Sequence, residues 1–360
     1  MKHLYTICLL CMLLAFNSCG KKSTPLPVKP NGPDVPEVPV KPAEPDNSDY
    51  HTDGEVAKLQ FNSDNGVNIV ILGDGFIKDD LKKNGVFDTQ VKQIADYLFT
   101  VAPFKQYKQN FNIYTVYAES AQRGAAKGGY SASAPTRFKS YFYKDIDRLL
   151  AAGDVNTCFT YVEKAVPISK ANLIILLVND GTYGGSGGNI AVISSHQLSK
   201  YIMVHEIGHT FAGLGDEYVD LPIANNYSVD MVPYLPNIDT TSNPAFLKWG
   251  AYYNRPAYKN YIGAFQGAYY RDKGFYRPEN RSVMTDLNML SFNAPSREAI
   301  ARRINEIINT PFDLQAFLAA DATSIKPVTL SLNTPILSLP KHDFINMRQR
   351  LMELHKTKVQ

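Results

Sequence analysis

Residues 201–218 read YIMVHEIGHTFAGLGDEY, and the apolar residues at the start of this stretch predict a helix buried against a sheet. On such a helix His205 and His209 lie one turn apart on the same face, so both imidazoles can reach one metal ion. Glu206 lies beside the first histidine, where its carboxylate can reach a water on that ion without binding the metal. A core helix with two hydrogen-bonded histidines is the alternative, but the pattern arises by chance in only about one chain in a couple of hundred.

The residues after the second histidine supply candidates for a third ligand. A catalytic zinc ion takes three protein ligands and keeps one position open for water. Gly213 can adopt the left-handed conformation that ends a helix, and the turn can then bring Asp216 or Glu217 back towards the histidines. A more distant acid such as Glu279 or Glu298 is a further alternative. The pattern therefore predicts a zinc site built from two imidazoles and one carboxylate.

The same stretch resembles the metzincin signature, in which a glycine follows the second histidine and the third ligand comes three residues after that glycine. Gly213 and Asp216 keep this step, although the unit begins one residue later than usual and an acid replaces the third histidine. The whole phrase 205–218 resembles the bacterial IgA-specific metallopeptidase family, and the similarity covers roughly residues 60–310. Three other passages share it, namely ILGDGF at 71–76, KGFYRPE at 273–279 and SVM at 282–284.

The resemblance assigns roles to the residues of the motif. It implies that His205 and His209 bind zinc and that Glu206 is the catalytic base. It favours Asp216 as the third ligand and leaves Glu217 as the alternative ligand. The implied activity is hydrolysis of a peptide bond.

Met284 is the candidate for a methionine turn beneath the metal, as in the metzincins that Ser282-Val283-Met284 resembles. Pro278 and Asn280, which form turns readily, come just before it. A methionine of the general core is the alternative interpretation.

Strands and helices alternate along the chain. The predicted strands are 67–72, 112–117, 173–178 and 190–194, and the predicted helices are 79–101, a segment from Gln197 onward and 297–308. This order predicts an α/β (α+β) catalytic domain, zincin or metzincin-like, with a twisted mixed sheet packed on the active-site helix and a mostly irregular C-terminal subdomain. The glycine-rich segment 181–188 is predicted to form a flexible lip above an edge strand at 190–194, where a peptide could add as a strand.

The N-terminus has the features of an export signal. Lys2 precedes an apolar run from Leu4 to Phe16, which is too short to span a bilayer comfortably. Cys19 follows Ser18 in a pattern that resembles the lipobox of bacterial lipoproteins. We therefore predict a signal peptide at 1–18 and a lipid anchor on Cys19, with plain secretion as the alternative.

A proline-rich segment follows the candidate lipid-bearing cysteine. Prolines recur at every third position, as in a polyproline II strand, at 27, 30, 33, 36, 39, 42 and 45. The predicted organisation is therefore a signal peptide, an anchor and tether at 19–50, a metallopeptidase domain at 51–320 and a C-terminal extension at 321–360. Within the extension, a strand pair around 328–339 and a closing helix from Asp343 are expected.

Composition excludes some classes of partner. The net charge is +3 over 360 residues, and no basic block or nucleic-acid motif occurs, so nucleic acid is not an expected partner. After removal of the signal and acylation of Cys19, the remaining cysteine is Cys158, which we predict to be buried and inert.

The predicted function is that of a zinc-dependent endopeptidase that cleaves extracellular proteins with a metal-activated water and a glutamate base. Tyr218, Tyr270 and Tyr276 are the tyrosines that could donate to the developing oxyanion. Two alternatives remain: a zinc amidase acting on cell-wall peptides, and a non-catalytic metal-containing binding lipoprotein. The expected location is a bacterial membrane, with the lipoprotein facing the periplasm or the cell surface.

Overall fold

A six-stranded mixed sheet is the centre of the computed structural model, which describes residues 49–130, 134–144 and 148–323. The strands are β1 (Val56–Gln60), β2 (Val67–Asp74), β3 (Phe111–Val116), β4 (Ala126–Lys127), β5 (Tyr141–Phe142), β6 (Leu150–Ala151), β7 (Leu173–Val178), β8 (Gly185–Ser186), β9 (Ala191–Ser194), β10 (Phe265–Ala268) and β11 (Arg271–Arg277). The central sheet has the order β1-β3-β2-β7-β9-β8. Its four inner strands are parallel, and β1 and β8 run antiparallel at its two margins.

Helices cover both faces of this sheet. They are α1 (Val86–Leu98), α2 (Val155–Ala165), α3 (Ser199–Ala212), α4 (Leu221–Ala224), α5 (Gly250–Tyr253), α6 (Ala294–Ile307) and α7 (Leu314–Ala322). Shorter 3-10 turns lie at Lys78–Leu81, Lys108–Asn110, Ile168–Lys170 and Val229–Tyr234. The predicted α/β class with a mixed sheet is confirmed.

The inner strands are apolar along their whole length because both of their faces are buried. Alternate side chains of β2 point to opposite sides of the sheet. Ile69 and Ile71 belong to the core shared with α1, α3 and α6, whereas Val70 and Leu72 belong to the core shared with α2. The sheet therefore separates two cores, and α3 lies in the larger one.

Helix α3 is buried almost all round. Ile202, Met203, Val204, Ile207 and Phe211 pack into the core between the sheet and α6. A helix covered on every side has no solvent-facing stripe, so any polar side chain on it must find a partner inside the protein. That condition selects the polar residues of α3 as candidates for a functional site.

The predicted edge strand was assigned wrongly. Strand β9 (Ala191–Ser194) has β7 on one side and β8 on the other, so the glycine-rich segment itself supplies the marginal strand. The outer side of β8 is in turn bridged, at Gly185, by Leu149. Strand addition to residues 190–194 is therefore excluded, because both of their edges are already paired.

The region between Gly213 and Asn293 has mostly short elements, as the predicted irregular subdomain requires. Two apolar clusters hold it together: one contains Tyr227, Leu235, Ile238 and Tyr269, and the other contains Trp249, Tyr252 and Tyr258. The β10–β11 hairpin is its longest regular element. Aromatic packing replaces regular backbone pairing in most of this region.

Cys158 is confirmed as a buried free thiol, and burial raises its pKa well above the ordinary value. Among the helices of the described ranges, none is both long and apolar enough to cross a membrane. The predicted signal peptide, Cys19 anchor and proline-rich tether lie outside the described residues, apart from positions 49 and 50. The strand pair expected at 328–339 and the helix expected from Asp343 also lie outside them.

Candidate metal centre

Helix α3 brings the two histidines of the motif together in the buried interior. His205 and Glu206 are fully buried, and His209 is 2% exposed. The Nε2 atoms of the two histidines are 3.0 Å apart. One helical turn between them therefore produces the convergence that the i, i+4 spacing predicts.

The other nitrogen of each imidazole has a backbone partner. His205 Nδ1 lies 3.0 Å from the carbonyl oxygen of Val283, and His209 Nδ1 lies 2.6 Å from that of Leu214. A carbonyl can only accept, so each Nδ1 carries a proton, and in the neutral imidazole each Nε2 then has a lone pair available for a metal. These two contacts fix both ring orientation and tautomer, as outer partners of metal-binding histidines commonly do.

Asp216 completes the group. Its Oδ1 lies 3.2 Å from His205 Nε2 and 3.5 Å from His209 Nε2. The candidate ligand atoms of these three residues all lie within 4.8 Å of one another. The hydroxyl of Tyr270 donates to Asp216 Oδ2, and burial, followed by the charge of Asp216, raises the pKa of Tyr270.

A tight turn after α3 carries the chain from His209 to Asp216. Gly213 adopts the left-handed conformation with φ 65°, as predicted, and its N–H donates to the His209 carbonyl oxygen. The N–H of Leu214 donates to the carbonyl oxygen of Gly208 at 3.1 Å. The turn has two effects on the site: it directs the chain back towards Asp216, and it places the Leu214 carbonyl oxygen where it accepts from His209 Nδ1.

Glu217, the alternative ligand, lies in a different environment. Its Oε1 accepts from the side-chain amides of Asn237 and Asn293, and its Oε2 accepts from the hydroxyls of Ser282 and Thr285. Burial raises the pKa of Glu217, while these four hydrogen bonds act in the opposite direction. Its carboxylate is therefore engaged by four donors and is not one of the three converging ligand groups.

The more distant acids also lie outside the group of three. Glu279 Oε1 accepts from the N–H of Ala294 at 3.1 Å. Glu298 Oε2 accepts from the hydroxyl of Tyr252 at 2.7 Å. Glu279 therefore bonds to the first residue of α6, and Glu298, which lies on α6, bonds to Tyr252 of α5.

Met284 lies in a tight turn packed beneath the helix. The N–H groups of Thr285 and Asp286 both donate to the Ser282 carbonyl oxygen, and Met284 is fully buried. A Cβ built on Gly208 would come within 2.9 Å of Met284 Sδ. The glycine between the two histidines therefore makes room for the methionine, a relation that the sequence motif alone did not show.

Gly187 is a site residue that sequence reasoning missed. A Cβ at this position would lie 2.6 Å from Glu206 Oε2 and 3.5 Å from His209 Cβ. The glycine-rich segment therefore passes directly over Glu206, and only a residue without a side chain leaves that carboxylate in place. The abundance of glycine at 181–188 was a visible signal, but it did not say which glycine approaches the motif.

The three candidate tyrosines have different positions. Tyr270 is engaged by Asp216, and Tyr276 pairs through its backbone with Asp239 in a bridge away from the helix. The ring of Tyr218 packs edge-on against that of Tyr270 at 5.3 Å. Burial raises the pKa of Tyr218, and the charges of Asp216 and Glu206 add to the increase. Tyr218 is thus within electrostatic range of both acids of the site.

The converging side chains match the donor pattern of a metal-dependent hydrolase, since His205 and His209 have the His-Glu-x-x-His spacing on one helix and Asp216 offers a third donor. Comparison with known families narrows this class: the chain belongs to the family described as IgA peptidase M64, which it matches over residues 58–257 and 251–304. The protein is accordingly a metallopeptidase, a hydrolase of protein or peptide substrates. No curated protein matches the chain.

Proposed function

We propose that the protein is a zinc-dependent endopeptidase of zincin or metzincin-like fold that cleaves extracellular proteins. The observation that carries this proposal is the convergence of His205, His209 and Asp216, whose ligand atoms lie within 4.8 Å of one another, with Glu206 adjacent on the same helix. Membership of a peptidase family supports hydrolysis as the reaction.

The donor set fits zinc. Two imidazole nitrogens and one carboxylate oxygen are ligands that zinc prefers, and three protein ligands leave a fourth position for water or substrate. The hydrogen bonds from each Nδ1 to a backbone carbonyl hold both histidines in the tautomer that binding requires. Zinc held there would supply Lewis acidity, which lowers the pKa of water from 15.7 to about 7 and polarises a peptide carbonyl.

Glu206 is the general base in this proposal. Its carboxylate accepts a proton as the water oxygen bonds to the scissile carbonyl carbon, and it returns that proton to the nitrogen as the C–N bond breaks. Gly187 leaves room for the carboxylate beneath the glycine-rich segment, because an added Cβ would lie 2.6 Å from Oε2. The burial of Glu206 keeps bulk water away from the transferred proton.

Tyr218 is the tyrosine we assign to the developing oxyanion. Its hydroxyl makes no hydrogen bond within the described part of the chain, whereas that of Tyr270 is already engaged. A phenol aimed at the charge that develops in the transition state stabilises it without binding the ground state equally well. Replacement of Tyr218 by Phe should therefore lower kcat and leave zinc affinity unchanged.

The test of the function is Glu206→Gln, measured with a library of protein and peptide substrates and a chelator control. We expect peptide hydrolysis to fall by about 10²–10⁴-fold, the range for loss of a general base, while zinc content stays at about one per chain. The matched control is Glu163→Gln on the exposed face of α2, which should leave activity unchanged. Full activity in Glu206→Gln would show that Glu206 is not the general base.

The substrate panel also separates the alternatives. Cleavage of cell-wall peptides without cleavage of proteins would identify a zinc amidase. Zinc bound at about one per chain with no hydrolysis of any substrate would identify a non-catalytic binding protein.

We further propose, on the sequence of residues 1–19 alone, that the protein is exported and anchored to a bacterial membrane by a lipid on Cys19. Incorporation of radiolabelled palmitate should be abolished by Cys19→Ser and retained in the control Cys158→Ser. Absence of label from the wild-type protein would exclude the anchor and leave plain secretion as the alternative, whereas label retained by Cys19→Ser would place the lipid on another residue.

A further inference from the structure

We propose that Glu217 and Asn237 are positioning residues of the metal centre, which hold Asp216 at the distance that metal binding requires. This inference rests on the proposed function, because it takes Asp216 as the third ligand. Neither residue touches the two histidines in the described contacts, so their effect on the metal is exerted through the backbone of the ligand loop.

Asn237 fixes the residues on both sides of Asp216. Its Oδ1 accepts from the N–H of Gly215 at 2.7 Å, and its Nδ2 donates to the carbonyl oxygen of Gly215 at 2.8 Å. The same Nδ2 donates to Glu217 Oε1 at 2.7 Å. One fully buried side-chain amide therefore restrains the residue before the ligand and the residue after it.

Glu217 connects the loop of Asp216 to the loop that orients the first histidine. Its N–H donates to the Met284 carbonyl oxygen at 2.9 Å, and its Oε2 accepts from Ser282 Oγ at 2.6 Å. Val283, between those two residues, is the one whose carbonyl accepts from His205 Nδ1. The positions of two of the three candidate ligands, His205 and Asp216, therefore both depend on the buried carboxylate of Glu217.

The chemistry of the partners requires a carboxylate at position 217. All four of its side-chain partners donate, and an ionised carboxylate is a pure acceptor with room for four such donors. A glutamine of the same size would present an N–H₂ group to one pair of those donors. If that group faced Ser282 and Thr285, their hydroxyls would lose Glu217 as the acceptor for their own protons; if it faced the amides of Asn237 and Asn293, donors would oppose donors.

The segment that carries Asn237 is itself restrained. Lys248 Nζ donates to the carbonyl oxygens of Leu235 and Ile238 at 2.8 and 2.6 Å, one on each side of proline 236 and Asn237. A Cβ on Gly215 would come within 2.8 Å of the side chains of Leu235 and Ile238, so this segment packs closely against the ligand loop. The Asn237 amide is therefore held rigidly enough to set the position of a ligand.

The experiment measures metal affinity and the folding of the apoprotein separately, on the full chain. Glu217→Gln and Asn237→Ala are compared with the wild type and with the control Asn156→Ala on the exposed face of α2. Zinc affinity is taken from competition with a chromophoric chelator, ligand geometry from the visible spectrum of bound cobalt, and folding from the Tm of the metal-free protein.

We expect both site variants to bind zinc about 10–100-fold more weakly than the wild type, as loss of an outer partner of a ligand does, and to shift the cobalt spectrum. Unchanged zinc affinity and an unchanged cobalt spectrum, with only a lower Tm, would show a purely structural role and overturn the proposal. Should Asn237→Ala fail to fold, Thr285→Val removes one donor to Glu217 and is expected to weaken zinc binding about 10-fold.

Failure of the zinc site assumed in the proposed function has a different result. In that case the wild type itself would bind no zinc, or would bind it without contribution from Asp216. A wild type that binds zinc through Asp216 while Glu217→Gln matches it would refute only the positioning role.

Discussion

The buried helix and the irregular region that follows it each supply candidate metal ligands, but they position them by different means. On α3, His205 and His209 converge because a helical turn separates them and because apolar packing fixes the helix on the sheet. In the region after Gly213, no regular backbone supports Asp216. Isolated hydrogen bonds hold it there: the side chains of Asn237 and Glu217 bond to the loop and to each other, and the N–H of Tyr269 donates to the Asp216 carbonyl oxygen.

The difference shows what each kind of structure can tolerate. A helix distributes its restraint over many apolar contacts, so one changed contact moves a ligand little. A loop held by a few buried hydrogen bonds loses a large share of its restraint when one of them is removed, because the remaining partner is left buried without a bond. Substitutions in the two regions can therefore be compared directly by metal affinity and by activity.

The largest expected effect is loss of a ligand from either region. His209→Ala on the helix and Asp216→Ala on the loop should each weaken zinc binding by more than the roughly 100-fold typical of an outer partner. Equilibrium dialysis against a zinc buffer measures both. Retention of zinc affinity by Asp216→Ala would mean that the irregular region contributes no ligand and that the helix alone binds the metal.

Gly187→Ala tests the glycine-rich segment above the helix. Its Cβ would lie 2.6 Å from Glu206 Oε2, so the carboxylate must shift, and a misplacement of about 1 Å can cost about 10²-fold in rate. We expect kcat to fall by that factor with zinc affinity unchanged. Gly181→Ala is the matched control in the same segment, because its Cβ meets nothing within 4 Å. Equal kcat values for the two variants would show that the space at Gly187 does not determine the position of Glu206.

The sequence predicted the helix region well because its signals are local. The run LIILLV predicted the bounds of β7 without error, and the motif correctly predicted that His205, Glu206 and His209 lie on one helix. The helix predicted at 79–101 is instead a 3-10 turn at Lys78–Leu81 followed by α1 from Val86, since Gly85 lies between them. Helix α2 was missed, although Asp154 caps its first turn.

The loop region could be predicted only in outline because its contacts are distant in sequence. Tyr270 lies 54 residues from Asp216, and Asn293 lies 76 residues from Glu217. No periodicity connects such pairs, and a sequence with 22 tyrosines does not indicate which one reaches the aspartate. The glycine turn at 213 was predictable, because its conformation depends on the residue itself.

Tyr270→Phe is expected to have a smaller effect than loss of a ligand. The variant keeps the buried ring and removes the hydroxyl that donates to Asp216 Oδ2, so zinc affinity should fall by about 10–100-fold. Chelator competition measures the change, and Tyr276→Phe on β11 is the control. Unchanged affinity in Tyr270→Phe would show that Asp216 is held in place without the Tyr270 hydroxyl.

The smallest expected effect concerns stability, at the far end of the irregular region. Burial raises the pKa of Glu279 to about 7, with the charge of Arg297 and the N–H of Ala294 acting in the opposite direction. An acid whose pKa is higher in the folded state favours folding below its unfolded pKa of 4.5, and that contribution is lost as the pH rises through 7.

Glu279→Gln keeps an oxygen for the Ala294 N–H and removes the ionisation. We expect the variant to match the wild type at pH 4 and to exceed its free energy of unfolding at pH 8 by about 1 to 2 kcal/mol. A shift of one pKa unit corresponds to about 1.4 kcal/mol, and the partial exposure of the side chain lowers the contribution. Urea unfolding at the two pH values measures the difference, and the exposed Glu163→Gln on α2 should change it little. A variant less stable than the wild type at pH 8 would show that the ionised Glu279 carboxylate stabilises the start of α6, so that the irregular region would stabilise a buried charge there.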